Sequence, residues 1–572
     1  MTIDGYWSLA AGRVTRRRAL AAAGVATGAA AFVAACGGGD DKGSSSTGGS
    51  SGSLPQGQTG QAAPTGGAGP KRGGTLRTAA GPLGAELDPH KTNTPYESAG
   101  VWHWTGNFLV RFNKDFDIEP DLAAAMPEIA DGGTTLTFKL NPQAKWQNRP
   151  PVNGRAAEAE DVKFTFERIK DPKTGSPRSA FFQNIDSIQT PDKTTVIFKT
   201  KVPEADLLAK MSDQYQLIVP KEWAGKEKAV SGPQDVVGTG PYVLDSFVLD
   251  QGFKMSRRPD GYWKPNTAWF DSWDFRRVDD AQAQIAAARS DQVDSVGITG
   301  DQLKDFEADK SRWYVLQRRN PTRECLLLNQ GKQFYKDVRV RQAIWRAVDR
   351  KGIYDKVFQG LGIPGGPMTP AATPWVLPDA EMAKLPGFKS DRNAELTEAK
   401  QLLAAAGFPD GFTDTMTTVT AFSTNEEADL YVPALARIGV KYNLENVGTD
   451  FNTFLARETK REYSAAATLF LSGAIPDAQL NQYHYSGASR NYADYSNPTL
   501  DAMMDAQSRE FDMNKRKQLV YDIQKELINN PSGFIWVGSR TEAVAYRTYY
   551  KGIYLGNFLA GYPAAELGFF DK

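Results

Sequence analysis

Hydrophobic and polar positions along this chain follow two periods that alternate from segment to segment. "TTLTFKL" (residues 134–140) and "TTVIFKT" (194–200) repeat every second residue, which predicts half-buried strands, and "RGGTLRTA" (72–79) predicts a short strand where order begins. "AEDVKFTFERIK" (159–170) instead sets Val162, Phe166 and Ile169 at helical spacing, with acids early and bases late as the helix dipole favours. "KDVRVRQAIWRAVDR" (336–350) opens on Asp337 as an N-cap and carries Val340, Ile344, Ala347 and Val348 as one apolar stripe. "EAKQLLAAAGFPDGF" (398–412) reads as a helix stopped at Gly407, and "KRKQLVYDIQKELINNP" (515–531) as an amphipathic helix closed by Asn-Asn-Pro. Helices and strands are interspersed, so the expected class is α/β.

The N-terminus breaks this pattern. Residues 19–35 form an apolar run of 17 rich in Ala and Gly, preceded by Arg13, Arg16, Arg17 and Arg18. A spanning helix wants about 20 strongly apolar residues, so this stretch reads as a secretory signal rather than an anchor helix. "TRRRAL" resembles the twin-arginine export signal, and "VAAC" resembles a bacterial lipobox, in which Cys36 is lipidated and becomes the first residue. Two or more acyl chains give stable membrane anchoring where one is marginal. Gly, Ser, Ala, Thr, Gln and Pro dominate residues 37–71, which read as a tether with a root-mean-square span of roughly 30 Å.

Composition narrows the function. Lys+Arg and Asp+Glu both number 67, which leaves no basic excess for a nucleic-acid partner. Two cysteines, Cys36 and Cys325, provide neither a disulfide framework nor a Cys-rich metal site, and no cofactor is expected. The histidines are three, His90, His103 and His484, thin material for a triad or a metal centre. "GGSSG" (48–52) matches the nucleophile-elbow pattern but lies in the tether, and "GLGIPG" (360–365) has Pro364 where a phosphate-binding helix would begin.

A series of segments carries a resemblance: "GGTLRTA" (73–79), "LDPHK" (87–91), "LVRFNKDFDIEPDLA" (109–123), "GTTLTFKL", "AEDVKFTFERI", "VGTGPYVL" (237–244), "DVRVRQAI" (337–344), "AKQLLAAAGFPDGF" and "YSNPTLDAMM" (495–504). In this order and spacing the chain resembles the large peptide/nickel-type solute-binding proteins of ABC transporters, family 5, from about residue 72 to its end. The resemblance implies a two-lobed α/β periplasmic-binding-protein fold with an additional α/β domain in lobe one. Its expected parts are the signal (1–36), the tether (37–71), lobe one (72–108, 190–325 and 535–572), the additional domain (109–189) and lobe two (326–534). The hinge would include "ECLLLNQ" (324–330), with Cys325 a buried structural residue.

It also implies a monomeric receptor, not an enzyme, that closes its lobes on a solute and delivers it to an ABC permease and ATPase complex. An oligopeptide-like solute is expected, with an oligosaccharide or other small organic solute as the alternative and an exported hydrolase as the alternative from another class. "HKTNTPYES" (90–98) resembles the lobe-one stretch along the cleft and points to Thr92, Asn93 and Thr94. "FLSGAIPDAQ" (470–479) resembles the lobe-two stretch and points to Gly473, Ala474, Ile475 and Asp477, the aspartate that in peptide-binding members pairs with the ligand's α-ammonium. Pro95 lacks an N–H, and Ala474 stands where peptide binders often carry tryptophan; both depart from the peptide pattern. Aromatic bulk for the pocket is expected from Trp104, Trp375, Tyr483 and Tyr485.

Overall fold

A computed structural model describes residues 61–62, 69–81, 83–92, 100–113, 117–225, 230–372, 374–420, 424–471, 473, 475–555 and 564–571. Cys36, Asn93, Thr94 and Ala474 lie outside the described residues. The period-two segments are strands Thr75–Ala80, Thr135–Lys139 and Thr195–Thr200. The helical-period segments are helices Ala159–Lys170, Val338–Ala347, Arg392–Ala405 and Met513–Asn529. Asp337 caps its helix as expected, its side chain accepting from the Arg339 N–H.

Eleven strands form one large sheet, and two of them hold it together. Trp313–Leu328 and Phe534–Arg547 pair antiparallel along most of their length. At one end the second also pairs with Ser295–Ile298, next to Thr75–Ala80 and the neighbouring strand Ser272–Arg277. At the other end the first pairs with Ala465–Leu471, which leads to Phe412–Thr418 and Val440–Asn446. Two α/β lobes therefore share these two strands as crossovers. Their pairing shifts register between Arg319 and Arg323, around Pro321, which has no N–H to give the ladder.

Each lobe has its own core. Lobe two packs Leu326, Ile344, Trp345 and Tyr431 with Phe534 and Trp536, while lobe one packs Trp102, Trp104, Tyr242 and Trp273. A third core, with Phe138, Trp146, Phe166 and Phe198, lies between helix Ala159–Lys170 and an antiparallel four-stranded sheet. That sheet takes in Thr195–Thr200, beyond residue 189. Cys325 is fully buried on the crossover strand.

The segments that carry the resemblance are staples of this architecture. In "VGTGPYVL" the backbone passes so close to Thr105 that a Cβ on Gly238 would sit 1.9 Å from its carbonyl oxygen. Asp88 of "LDPHK" pairs with Arg168 of "AEDVKFTFERI", and Asp121 accepts from Asn107, the Phe108 N–H and Lys264. Asp161 accepts from Trp146 Nε1 at 3.1 Å and from Arg155 at 2.6 Å. These are buried carboxylates satisfied several times over, the arrangement that burial of charge demands.

No helix of the described residues is long and apolar enough to cross a membrane, and no group of three or more His, Cys, Asp or Glu among them is arranged to hold a metal.

Candidate binding cleft

A cavity of about 500 Å³ opens between the two halves of the molecule. Arg178, Lys210, Asp213 and Tyr215 line one wall; Gly473, Asp477, Tyr485 and Arg490 line the other. Arg178 precedes a short 3-10 turn, and Lys210 sits on the five-residue helix Leu207–Met211. Asp477 opens a single π-helical turn, Asp477–Asn481, soon after strand Ala465–Leu471. Such turns re-aim side chains and recur at functional sites.

Asp477 is the electrostatic centre of the cleft. Its Oδ2 accepts from Lys210 Nζ at 2.8 Å, and its Oδ1 accepts from Gln507 Nε2 and Ser508 Oγ, each at 2.7 Å. Arg516 stands 4.0 Å away and pairs with Asp206 at 2.7 Å, while Lys210 also pairs with Glu204. Burial alone would push the Asp477 carboxyl up, but Lys210 and Arg516 outweigh it and hold it well below the usual carboxylate range. Burial likewise opposes charge on Lys210, and Asp477, Glu204 and Asp206 reverse that to raise it. Lys210 and Asp477 thus form an ion pair that spans the cleft from wall to wall.

The rest of the cleft is also charged. The Arg178 guanidinium lies 3.4 Å from the centre of the Tyr215 ring and donates to the Thr92 carbonyl at 2.5 Å. Burial lowers Arg178, Asp213 and Tyr215 oppose this, and Arg490 adds repulsion from the opposite wall. Arg490 donates to the Tyr483 hydroxyl at 3.3 Å, and that phenol raises it against burial. Burial pushes Asp213 up, partly offset by Arg178.

Of the residues expected at the site, Gly473, Asp477 and Tyr485 line the cavity. Thr92 is buried and its carbonyl accepts from Arg178, and Tyr483 is fully buried behind Arg490. Ile475 is half-buried and outside the lining. Two aromatic expectations are corrected. Trp104 is packed against Trp273 at 4.4 Å and Tyr242 at 4.7 Å in the lobe-one core. Trp375 packs with Leu480 and Met504 beneath Arg516, whose guanidinium lies 4.9 Å from its ring. Neither presents a face to the cavity on which a sugar would stack. The histidines are internal: His90 faces the Leu217 carbonyl at 3.0 Å, His103 the Gln214 carbonyl at 3.2 Å and His484 the Ser532 hydroxyl at 2.6 Å.

A family model, bacterial extracellular solute-binding proteins, family 5 Middle, matches residues 117–492, well over half of the chain. The chain belongs to this family. Family 5 relatives include a Brucella ovis protein that bears the name of an ABC transporter peptide-binding protein. It is 26% identical over 468 residues, covering 78% of this chain and 84% of its own length. The heme-binding protein A of Haemophilus influenzae is 30% identical over 390 residues, 64% of this chain and 68% of its own. Among solved structures, the Helicobacter pylori periplasmic binding protein DppA in complex with the peptide STSA superposes with a TM-score of 0.71 at 21% identity. That superposition covers 88% of this chain and 99% of the other. The family 5 fold, two lobes on a shared sheet, accounts for a cleft walled from both sides.

Proposed function

We propose that this protein is the extracytoplasmic receptor of an ABC importer, which binds a peptide-like solute in the cleft and hands it to a membrane permease and its ATPase. The observation that carries this reading is a charged cavity whose walls come from two lobes that share two crossing strands. A solute touching both walls stabilises the closed form by its differential contacts, the physical requirement for ligand-driven closure. The peptide-binding names of relatives support the ligand class. The register shift at Arg319–Arg323 serves as the hinge in this reading.

In this reading the protein acts as a monomer without catalysis, exported by its N-terminal signal and held by a lipid on Cys36, with 37–71 as the tether. Isothermal titration of the full chain with a random tetrapeptide pool is expected to give saturable binding, and the recovered peptides should be intact. Peptide cleavage during incubation would overturn the receptor reading. Cys36→Ser is expected to move the protein from the membrane fraction to the soluble extracytoplasmic fraction, since the acyl chains supply the anchoring energy. Unchanged membrane association would remove Cys36 from that role. Replacing Arg16 and Arg17 with lysines is expected to block export if the twin-arginine route is used.

A further inference from the structure

The two walls of the cleft belong to separately packed bodies. Helix Leu207–Met211 buries Leu207, Leu208 and Met211 in the core that holds Phe138 and Phe166. Leu480, on the π-helical turn that Asp477 opens, packs in a different core with Met504 and Val520 of helices Pro498–Arg509 and Met513–Asn529. Where these bodies meet, they exchange charges in both directions. Lys210 of the first wall pairs with Asp477 of the second at 2.8 Å, and Arg516 of the second pairs with Asp206 of the first at 2.7 Å. Two main-chain bonds run alongside. The Asp477 N–H donates to Asp206 Oδ2 at 3.1 Å, and the Ala205 N–H donates to the Ser508 carbonyl at 2.9 Å.

All of these contacts are made by the protein's own groups. None of the four charged side chains is more than 12% exposed, so solvent and salt screen both ion pairs little. Each cation is also backed on its own wall, Lys210 by Glu204 and Arg516 by Gln507, which keeps both aimed across the seam. Parting the lobes breaks two ion pairs and two main-chain bonds together. Removing a charge while the lobes stay together strands its partner in a buried site, so the loss falls on the closed form.

We propose that this crossed cluster is a clasp that closes the lobes without a solute, so that the protein rests closed and a solute's contacts add to a closure the chain already favours. The inference rests on the two-lobed fold and on contacts within the chain, and it holds whatever the solute's class. Such a clasp lessens the share of closure that a solute must drive, and it places the breaking of two ion pairs on the path to release.

The test is hydrogen exchange of the full chain, stripped of co-purified solute, read at the Ala205 and Asp477 amides, whose rates report how often the lobes part. In the unaltered protein both are expected to exchange about 100-fold or more slower than in an unstructured chain. Lys210→Met combined with Asp206→Asn removes both cross-wall pairs, yet leaves Asp477 with Arg516, already 4.0 Å away on its own wall. At about tenfold for each close charge pair, protection of the two amides should fall about 100-fold in this double variant. The amides of helix Ala159–Lys170, in the core of the first wall, should keep theirs and serve as the folding control. Unprotected Ala205 and Asp477 amides in the stripped, unaltered chain overturn the inference, and so does a double variant that exchanges like the unaltered chain. A random tetrapeptide pool added to the double variant is expected to restore protection. Lost protection that the pool does not restore leaves the clasp standing and overturns the peptide-receptor reading. If the double variant does not fold, Asp206→Asn alone, with an expected loss of about tenfold, decides.

Discussion

Asp477→Ala is expected to lower the free energy of unfolding by about 3–5 kcal/mol, measured by urea denaturation without solute, because it strips a buried cluster of its central acceptor. In the native protein that carboxylate takes Lys210 at 2.8 Å and two neutral donors at 2.7 Å, and sits 4.0 Å from Arg516. Its removal leaves Lys210 with Glu204 alone, and leaves Gln507 and Ser508 facing an apolar methyl group. Arg516 is fully buried and keeps its pair with Asp206. The isosteric Asp477→Asn keeps an acceptor for Gln507 and Ser508 yet presents an amide to Lys210, so the charge contribution separates from the packing contribution. Adding Lys210→Met to Asp477→Asn removes the stranded cation and is expected to recover part of the loss, a coupling that a double-mutant cycle measures. A loss below about 1 kcal/mol for Asp477→Ala would place the pair among solvent-screened surface pairs and contradict its burial. Binding assays on Asp477 variants therefore need a stability control, since a weakened closed form mimics a lost ligand contact.

The fold is legible in the sequence wherever a local period runs uninterrupted. Helix Ala159–Lys170 matches its pattern residue for residue, because its apolar face meets one sheet and its N-terminus carries its own capping box. The crossover strand announces itself only at "ECLLLNQ", although it runs over Trp313–Leu328. Its middle, "QRRNPTRE", is polar although Gln317, Arg319, Arg323 and Glu324 are buried, and Pro321 interrupts it, so no alternation marks a strand there. The resemblance leads to Gly473 and Asp477, and the expectation of aromatic bulk to Tyr485, all three of which line the cavity. Lys210 escapes such a reading because "LLAKM" looks like an ordinary amphipathic turn with its lysine in water, and only the tertiary fold turns it toward Asp477. Arg178 and Arg490 lie in loops with no period at all, and nothing local distinguishes them from other surface arginines. Trp104 and Trp375 mislead for the converse reason. Tryptophan is as valuable to a core as to a pocket, and in this chain both belong to cores.

Glu458→Gln is expected to abolish most of a pH-dependent loss of stability between about pH 5 and 8. Glu458 lies near the end of helix Phe451–Thr459, 1% exposed, beneath the lobe-two sheet. Burial pushes its carboxyl up to about 8. Thr468, its near polar neighbour, belongs to strand Ala465–Leu471 and is paired in register with Cys325 on the crossover. An acid raised in this way holds its proton in the folded state at pH values where the unfolded chain, near 4.3, has released it. The folded state then binds more protons, so its contribution is fully present below about pH 4 and declines as pH rises, by about 1.4 kcal/mol per unit. The decline ends near the folded value, after a loss on the order of 4–5 kcal/mol. Glutamine fills the same volume without titrating, so the fall in urea-unfolding stability from pH 5 to pH 9 should be smaller in the variant by several kcal/mol, while Glu427 and Asp213, also pushed up by burial, keep their own shares. Parallel pH dependence in the two proteins would assign the loss to other groups.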